Sequence, residues 1–161
     1  MVCRWIGLCL LVFGSGLSAA ESNDRFVQKL ALPDGRAVVV SEGDLEARSI
    51  GSYAVRLYAS DDAVSFSSGV ILQRDGTVED VRLADLDGKG KLQVVVIVRS
   101  AGTGGYLSAQ AFAFTNKEIE VRSHVENLPK DADPIAALTR TTHSDFVIGK
   151  GKYYDPAGRT P

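Results

Sequence analysis

The residue types that perform catalysis or bind metals are sparse in this sequence of 161 residues. Asp85 and Asp87 precede Gly88, and alternate acidic residues followed by glycine are typical of loops that wrap Ca²⁺ in side-chain oxygens. Lys89 would place an ammonium group at the third ligand position, and Val96 offers no carboxylate at the twelfth. The pattern therefore favours a polar hairpin loop over a calcium site.

The chain has two histidines, His124 and His143, and neither has a cysteine nearby. A zinc or iron centre would need carboxylates from elsewhere in the chain, and no spacing indicates them. His143 precedes Ser144 and Asp145, the residue types of a hydrolytic triad, but neighbours on one strand point in opposite directions. We therefore expect no catalytic residue, no metal and no cofactor, and the sequence does not predict an enzyme.

The remaining polar chemistry is concentrated in residues 99–106, RSAGTGGY, between two strand-like runs. The segment does not open a helix as a dinucleotide-binding motif would, and it lacks the lysine of a phosphate-binding loop. Its glycines permit backbone conformations closed to other residues, and its hydroxyls can donate or accept hydrogen bonds. Such a loop can enter a polar cleft of a partner, unless Tyr106 packs on its own sheet instead. The predicted binding residues are Ser100, Gly102, Thr103, Gly104, Gly105 and Tyr106.

The first twenty residues have the pattern of a secretory signal peptide. Arg4 precedes an apolar run that ends in Ser-Ala-Ala, which predicts cleavage after Ala20. Glycine and serine interrupt the run too early for the roughly 20 apolar residues of a transmembrane helix. Cys3 and Cys9 both lack the small preceding residue that lipidation requires, so we expect a secreted protein without a membrane anchor.

Removal of residues 1–20 would leave 141 residues with 17 basic and 20 acidic side chains, a formal charge of -3. This weak balance argues against a nucleic-acid partner. Both cysteines would leave with the signal, so the mature protein would have no disulfide and must be stabilised by a hydrophobic core. A single domain over residues 21–161 is large enough to bury one.

Short apolar runs with a period of two, separated by turn residues, extend from residue 26 to residue 125. They predict one hairpin around residues 33–35 and a second around residues 74–76. The run KLQVVVIV, residues 91–98, has no polar face and belongs in the middle of a sheet, whereas residues 117–125 alternate as an edge strand does.

A short helix is predicted from Pro134 to Leu138, followed by one more strand and a Gly- and Pro-rich tail. The predicted fold class is therefore all-β, an antiparallel β-sandwich of about eight strands with a short helical segment near the C-terminus.

Two stretches resemble the periplasmic inhibitors of invertebrate-type lysozyme from Gram-negative bacteria. They are LPDGRAVVVSEGDLEARSIGSYAVRLY, residues 32–58, and ADLDGKGKLQVVVIVRSAGTGGY, residues 84–106. The resemblance covers most of the chain after the signal, up to Thr141. It implies a periplasmic β-sandwich whose serine and tyrosine loop enters the active-site cleft of the lysozyme and blocks its substrate.

The tyrosine of that family corresponds to Tyr106. Three positions earlier the family generally carries a small hydroxyl residue, and Thr103 keeps the hydroxyl while adding a methyl group. Ser100 is a second candidate for the same role. Members of the family can pair as homodimers, and an exposed apolar edge at residues 91–98 would permit such pairing.

Three alternatives remain open from the sequence. The first is an inhibitor of goose-type or chicken-type lysozyme, since similar loops occur in proteins directed at those enzymes. The second is a carbohydrate-binding or envelope-interaction module that stacks Tyr53, Tyr58 or Tyr106 on sugar. The third is an enzyme built on Asp85, Asp87 and the two histidines.

Overall fold

A computed structural model describes residues 25–115 and 118–143 of the chain, with side chains as far as Thr141. The predicted signal peptide, the strand expected after the helix and the C-terminal tail all lie outside these residues.

Eight antiparallel strands in two sheets make up the described part of the chain, which confirms the predicted sandwich. Neighbours in each sheet follow one another in sequence. The first sheet contains β1 (Val27–Ala31), β2 (Ala37–Glu42), β3 (Ile50–Tyr58) and β4 (Phe66–Asp75). The second sheet contains β5 (Thr77–Ala84), β6 (Gln93–Arg99), β7 (Leu107–Phe114) and β8 (Ile119–Leu128), and the helix α1 (Pro134–His143) follows it.

The hydrophobic core has two layers, one on each face of the second sheet. Between the sheets, Val55 and Leu57 of β3 pack with Val96 of β6 and with Phe112 of β7. On the outer face, Leu138 of α1 packs in a second cluster that includes other residues of β6 and β7. The strand β6 is therefore buried on both sides, which explains why its sequence has no polar face.

The helix begins where a polar cap precedes a proline. The Asp133 carboxylate accepts hydrogen bonds from the backbone of Ile135 at 2.9 Å and of Ala136 at 3.3 Å, and proline suits the first helical position. The prediction that the helix ends at Leu138 was wrong, because α1 continues to His143. The helix packs against β8 and β7, and such tertiary packing can override the low helix propensity of its threonines.

The hairpin predicted at residues 33–35 is present and joins β1 to β2. Gly35 adopts a φ of +85°, which glycine tolerates far better than other residues. The hairpin predicted at residues 74–76 was wrong, because β4 and β5 belong to different sheets. Gly76 is a one-residue corner at which the chain crosses between them.

No side chain fits at Gly76. Its φ is +110°, and an added Cβ would lie 2.7 Å from the carbonyl carbon of Arg99 and 2.8 Å from the Cα of Ser100. The corner therefore packs directly on the residues where β6 ends and the predicted binding loop begins.

The strand order agrees with the predicted central position of residues 91–98 and the predicted edge position of residues 117–125. β6 lies between β5 and β7, and β8 is an edge strand. The premise for pairing two copies through residues 91–98 does not hold, because β6 has a partner strand on both sides.

The registers also define two ends of the sandwich. The β6–β7 loop, the β2–β3 loop and Gly76 lie at one end, which we call the Tyr106 end. The β1–β2, β5–β6 and β7–β8 connections lie at the other, which we call the Arg36 end.

A buried ion pair lies within the first sheet near the Tyr106 end. The Nε of Arg74 lies 3.5 Å from Oε1 of Glu42, with 0% and 3% of the two side chains exposed. The same Glu42 oxygen accepts a hydrogen bond from the backbone N–H of Val78 at 2.6 Å. Because Glu42 belongs to the first sheet and Val78 to the second, the carboxylate binds the two sheets together.

The guanidinium of Arg74 also organises the backbone around it. It donates hydrogen bonds to carbonyl oxygens of the β2–β3 loop, of β3 and of the corner, namely those of Ala47, Arg48, Ser52 and Gly76. A charge can be buried at tolerable cost only when its hydrogen-bonding capacity is filled in this way.

Removal of the Arg74 guanidinium should destabilise the protein far more than removal of an exposed guanidinium. We expect Arg74→Met to lower the free energy of unfolding by about 3 to 5 kcal/mol, because the Glu42 carboxylate would stay buried without its partner. The matched control is Arg82→Met, which breaks an exposed pair with Asp80 and should cost less than about 1 kcal/mol. Urea denaturation followed by circular dichroism measures both, and equal losses would contradict the role assigned to Arg74.

Candidate functional site

The predicted binding loop, residues 100–106, is closed by backbone hydrogen bonds. The N–H of Ser100 donates to the carbonyl of Tyr106 at 2.8 Å, where the strands β6 and β7 meet the loop. Within the loop, the N–H of Gly105 donates to the carbonyl of Gly102 at 3.1 Å and forms a tight turn. Gly105 has a φ of +55°, a conformation that few other residues adopt. The backbone of the loop is therefore a defined hairpin extension.

The ring of Tyr106 lies against the backbone of Gly104. A Cβ added to Gly104 would fall 2.9 Å from Cδ2 and 3.1 Å from Cζ of that ring, and closer still to Cε2. No atom lies within 4 Å of a Cβ added to Gly102. The tyrosine thus rests on its own loop and leaves 52% of its surface exposed, so it does not fold onto the sandwich.

An ion pair supports the loop from beneath. Arg99 donates through Nη1 to the carbonyl of Gly105 at 2.9 Å, and its Nη2 and Nε donate to the carboxylate of Glu79, the former at 2.7 Å. This hydrogen bonding to Glu79 raises the pKa of Arg99 above its ordinary value. Because the guanidinium stays charged, the clamp on Gly105 persists throughout the ordinary pH range.

The two candidate hydroxyls in the loop have different surroundings. Thr103 is exposed at the centre of the turn. The Oγ of Ser100 is buried and has no hydrogen-bond partner among the described residues. The structure therefore exposes Thr103 and Tyr106 to solvent, whereas the Ser100 hydroxyl is buried.

An open cleft of about 360 Å³ runs beside the loop, between the ends of the two sheets. Tyr106, Gln110, His124 and Glu126 are among its lining residues. Tyr53 also borders the cleft, but it is only 2% exposed and its hydroxyl donates to the amide oxygen of Gln110. Burial raises the pKa of Tyr53, so this phenol stays neutral. A ring so buried cannot stack on a sugar, which removes one residue of the carbohydrate-binding alternative.

Of the other residues singled out for chemistry, His124 lines the cleft beside the loop, whereas Asp85 and Asp87 lie away from it. Asp85 and Asp87 lie in the β5–β6 hairpin, where they accept backbone hydrogen bonds from Gly90 at 2.8 Å and Lys89 at 3.1 Å. His124 is exposed on β8. Ser144 and Asp145 lie outside the described residues.

Two further findings concern only the described ranges. No group of three or more His, Cys, Asp and Glu residues there could hold a metal ion. The helix in those ranges is too short to cross a membrane.

The sequence analysis missed Arg99 and Glu79 as supports of the loop. Arg99 was visible as the charge that ends the apolar run of β6. Glu79 could not be assigned, because it lies at a β-bulge where Val78 pairs with Val98 and Asp80 pairs with Ile97. The bulge inserts one extra residue into β5, and no local pattern announces it.

The site therefore consists of an exposed, uncharged turn held by backbone hydrogen bonds and by a charged clamp. It brings no nucleophile, acid and base together. The fold and the loop define a small β-sandwich protein with an exposed, hydrogen-bonded loop at one end.

Comparisons with known proteins agree with this description of the fold. The family model of the periplasmic lysozyme inhibitor of I-type lysozyme matches residues 24–142. The crystal structure of PliI-Ah, such an inhibitor from Aeromonas hydrophila, is 43% identical and superposes with a TM-score of 0.66, covering 70% of this chain and 98% of that one. No curated protein sequence matches the chain.

A second crystal structure holds Aeromonas hydrophila PliI in complex with Meretrix lusoria lysozyme. It is 44% identical, with a TM-score of 0.64 and coverage of 70% of this chain and 94% of that one. The chain belongs to the family of periplasmic inhibitors of I-type lysozyme, and it is not an enzyme.

The seat of Tyr106 on Gly104 can be tested directly. Gly104→Ala should displace the ring, because the new methyl group would overlap it, whereas Gly102→Ala adds a methyl group in open space. We expect the ring-proton chemical shifts of Tyr106 to change in the first variant and stay near wild type in the second. Both variants should unfold within a few degrees of wild type, since the loop is outside the core. Equal shift changes in the two variants would contradict the contact.

Proposed function

We propose that this protein inhibits an invertebrate-type lysozyme by inserting the turn that carries Thr103 and Tyr106 into the active-site cleft. The observation that carries the proposal is the exposure of both side chains on an uncharged loop held by hydrogen bonds, in a chain that belongs to an inhibitor family. The related Aeromonas inhibitor in complex with a lysozyme supports the choice of partner.

The chemistry of a lysozyme explains why such a wedge carries no charge. Glycoside hydrolysis uses two carboxyl groups that flank the scissile bond, one protonated as the acid and one ionised. A hydroxyl group can donate to a carboxylate and accept from a carboxylic acid, whereas an ammonium group can only donate. Thr103 and Tyr106 can therefore bond to both catalytic groups, whichever of them holds the proton.

The hydrogen bonds that hold the loop favour tight binding. Ordering flexible side chains and loops at an interface costs free energy that is subtracted from the affinity. The Arg99 hydrogen bond and the turn at residues 102–105 order the loop when the protein folds. Less ordering free energy is therefore lost when the partner binds. A standard enzyme–inhibitor interface buries about 1,600 Å² in total, so surfaces around the loop must contribute contacts as well.

Substitutions in the loop should distinguish the contribution of the exposed hydroxyls of Thr103 and Tyr106 from that of the buried Ser100 hydroxyl. We expect Tyr106→Ala to weaken inhibition by about thirtyfold or more, as for a central aromatic anchor, and Thr103→Ala by about two- to tenfold, as for one lost hydrogen bond. Ser100→Ala is the matched control and should retain inhibition, because its hydroxyl is buried and makes no bond. Inhibition constants against an invertebrate-type lysozyme measure all three.

Unchanged inhibition by the Tyr106 variant would overturn the wedge mechanism. The same assay run with goose-type and chicken-type lysozymes tests the choice of target. Stronger inhibition of either would transfer the mechanism to that enzyme class.

We also propose that residues 1–20 are a cleaved signal peptide and that residues 21–161 form the mature domain. The family is named for its periplasmic location, which supports export of this chain. When the full chain is expressed in a Gram-negative host, the periplasmic fraction should contain a protein whose N-terminal residue is Glu21. Ala20→Lys should block cleavage, because the processing site requires a small residue there, and Glu21→Gln should not. Retention of residues 1–20 in the periplasmic protein would contradict cleavage.

Homodimer formation remains a prediction from the family resemblance alone.

A further inference from the structure

A second cavity, of about 690 Å³, opens at the Arg36 end of the sandwich, at the opposite end from the Tyr106 loop. The β1–β2 and β5–β6 connections, parts of β7 and β8 and the last turn of α1 line it. None of the loop residues proposed to contact a lysozyme takes part in it. The cavity is therefore separate from the proposed inhibitory site.

The described part of the chain ends beside this cavity. The helix α1 ends at His143, and Thr141 in its last turn lines the cavity. Residues 144–161 follow in the sequence, and the family model, which matches residues 24–142, ends before them. The first residues of this C-terminal segment therefore start within reach of the cavity.

The cavity offers apolar surface that the described residues leave uncovered. Leu92 keeps 42% of its surface exposed, and Pro33, which also lines the space, is exposed. The first large apolar side chains beyond the helix are those of Phe146, Val147 and Ile148. Their burial in a concave apolar site would be favourable, because it removes apolar surface from water.

The rim of the cavity carries an unbalanced positive charge. Four lysine and arginine side chains line it, and three of them are paired with a neighbouring carboxylate, namely Arg36 with Asp34, Lys89 with Asp87 and Arg122 with Glu120. The fourth, Lys91, has no ion pair within the described residues. A negative charge on the occupant would complement this rim.

The C-terminal segment contains two apolar stretches with opposite charges beside them. Asp145 directly precedes the run that begins at Phe146, whereas Tyr153 and Tyr154 follow two lysines, Lys150 and Lys152. A carboxylate is attracted to the basic rim and the two ammonium groups are repelled by it. The charge pattern therefore favours residues 145–148 as the occupant over the two tyrosines.

The chain is long enough to make this contact. Phe146 is five residues beyond Thr141, and five extended residues span up to about 17 Å. A round cavity of 690 Å³ would be about 11 Å across, so Phe146 can reach any part of it. The loop to be closed is short, which keeps its entropic cost small.

We propose that residues 145–148 fold back into this cavity, with the ring of Phe146 against Leu92 and the carboxylate of Asp145 near Lys91. The contact holds the last turn of α1 to the β5–β6 connection. Inhibition of a lysozyme does not require it, because the Tyr106 loop lies at the other end of the sandwich.

The ring of Phe146 can be detected through the side chain on which it packs. An aromatic ring shifts the resonances of methyl groups against its face, so the test follows the methyl protons of Leu92 in the mature chain, residues 21–161. We expect Phe146→Leu to move these resonances, and Tyr153→Leu, the matched control farther along the same segment, to leave them in place. Unmoved resonances in the Phe146 variant, or equal changes in the two variants, would overturn the proposal.

Thermal unfolding measures the same contact independently. Phe146→Ser should lower the midpoint by about 4 to 8 °C, since the burial of an aromatic side chain is lost, whereas Tyr153→Ser should stay near wild type. An unchanged midpoint in the Phe146 variant would contradict the burial. Losses that vary with protein concentration would assign the contact to the segment of a second copy and would overturn the fold-back within one chain.

Reversal of the two charges tests their pairing. Asp145→Lys and Lys91→Glu should each lower the midpoint, and the double variant should recover part of both losses, because the pair is restored with opposite signs. The matched control combines Asp145→Lys with Lys130→Glu, a change of an exposed lysine at the Tyr106 end, and should recover nothing. Equal recovery in the two double variants, or recovery in neither, would contradict the placement of Asp145.

Discussion

The buried pair of Arg74 and Glu42 in the first sheet anchors the contacts through which this sheet meets the second one. Glu42 accepts from the backbone of β5, and Arg74 holds the corner at Gly76 and the β2–β3 loop. Gly76 in turn packs on Arg99, where β6 ends. Because the predicted binding loop begins at the next residue, its position depends on a charge pair in the interior. Here burial of charge fixes geometry, and the surrounding carbonyls compensate for the lost hydration.

The loop combines local and long-range support. Its turn and the seat of Tyr106 depend on glycines within seven residues, whereas the clamp on Gly105 needs Glu79 from another strand. The result is an uncharged, exposed tip with charged groups behind it. That separation suits a partner whose own site is acidic, because the tip can bond to carboxyl groups without requiring that both be ionised.

The sequence predicted the elements better than their connections. Alternation in β3 and the unbroken apolar run of β6 specify buried faces, since side-chain direction in a strand has a period of two. Residues 74–76 were predicted to be a hairpin because a glycine with positive φ occurs both in tight turns and at corners between sheets. Only the burial of Arg74 in the structure distinguishes the corner from a turn. Composition left open whether Tyr106 packs on its own sheet, and only the resemblance to an inhibitor family favoured the exposed position that the structure shows. The bulge at Glu79 and the buried Ser100 hydroxyl depend on tertiary packing, which no short pattern encodes.

The strictly sequential strand order also bears on how the chain assembles. Each strand pairs with its neighbour in the sequence, so every sheet grows by adding hairpins and no strand must be threaded between two others. Topologies dominated by such local pairings close shorter loops and reach their native contacts sooner. The first sheet can be completed before any residue beyond β4 is available. The late step is then the meeting of two preformed halves on either side of a single glycine, and this step completes the burial of the Arg74 guanidinium against the corner.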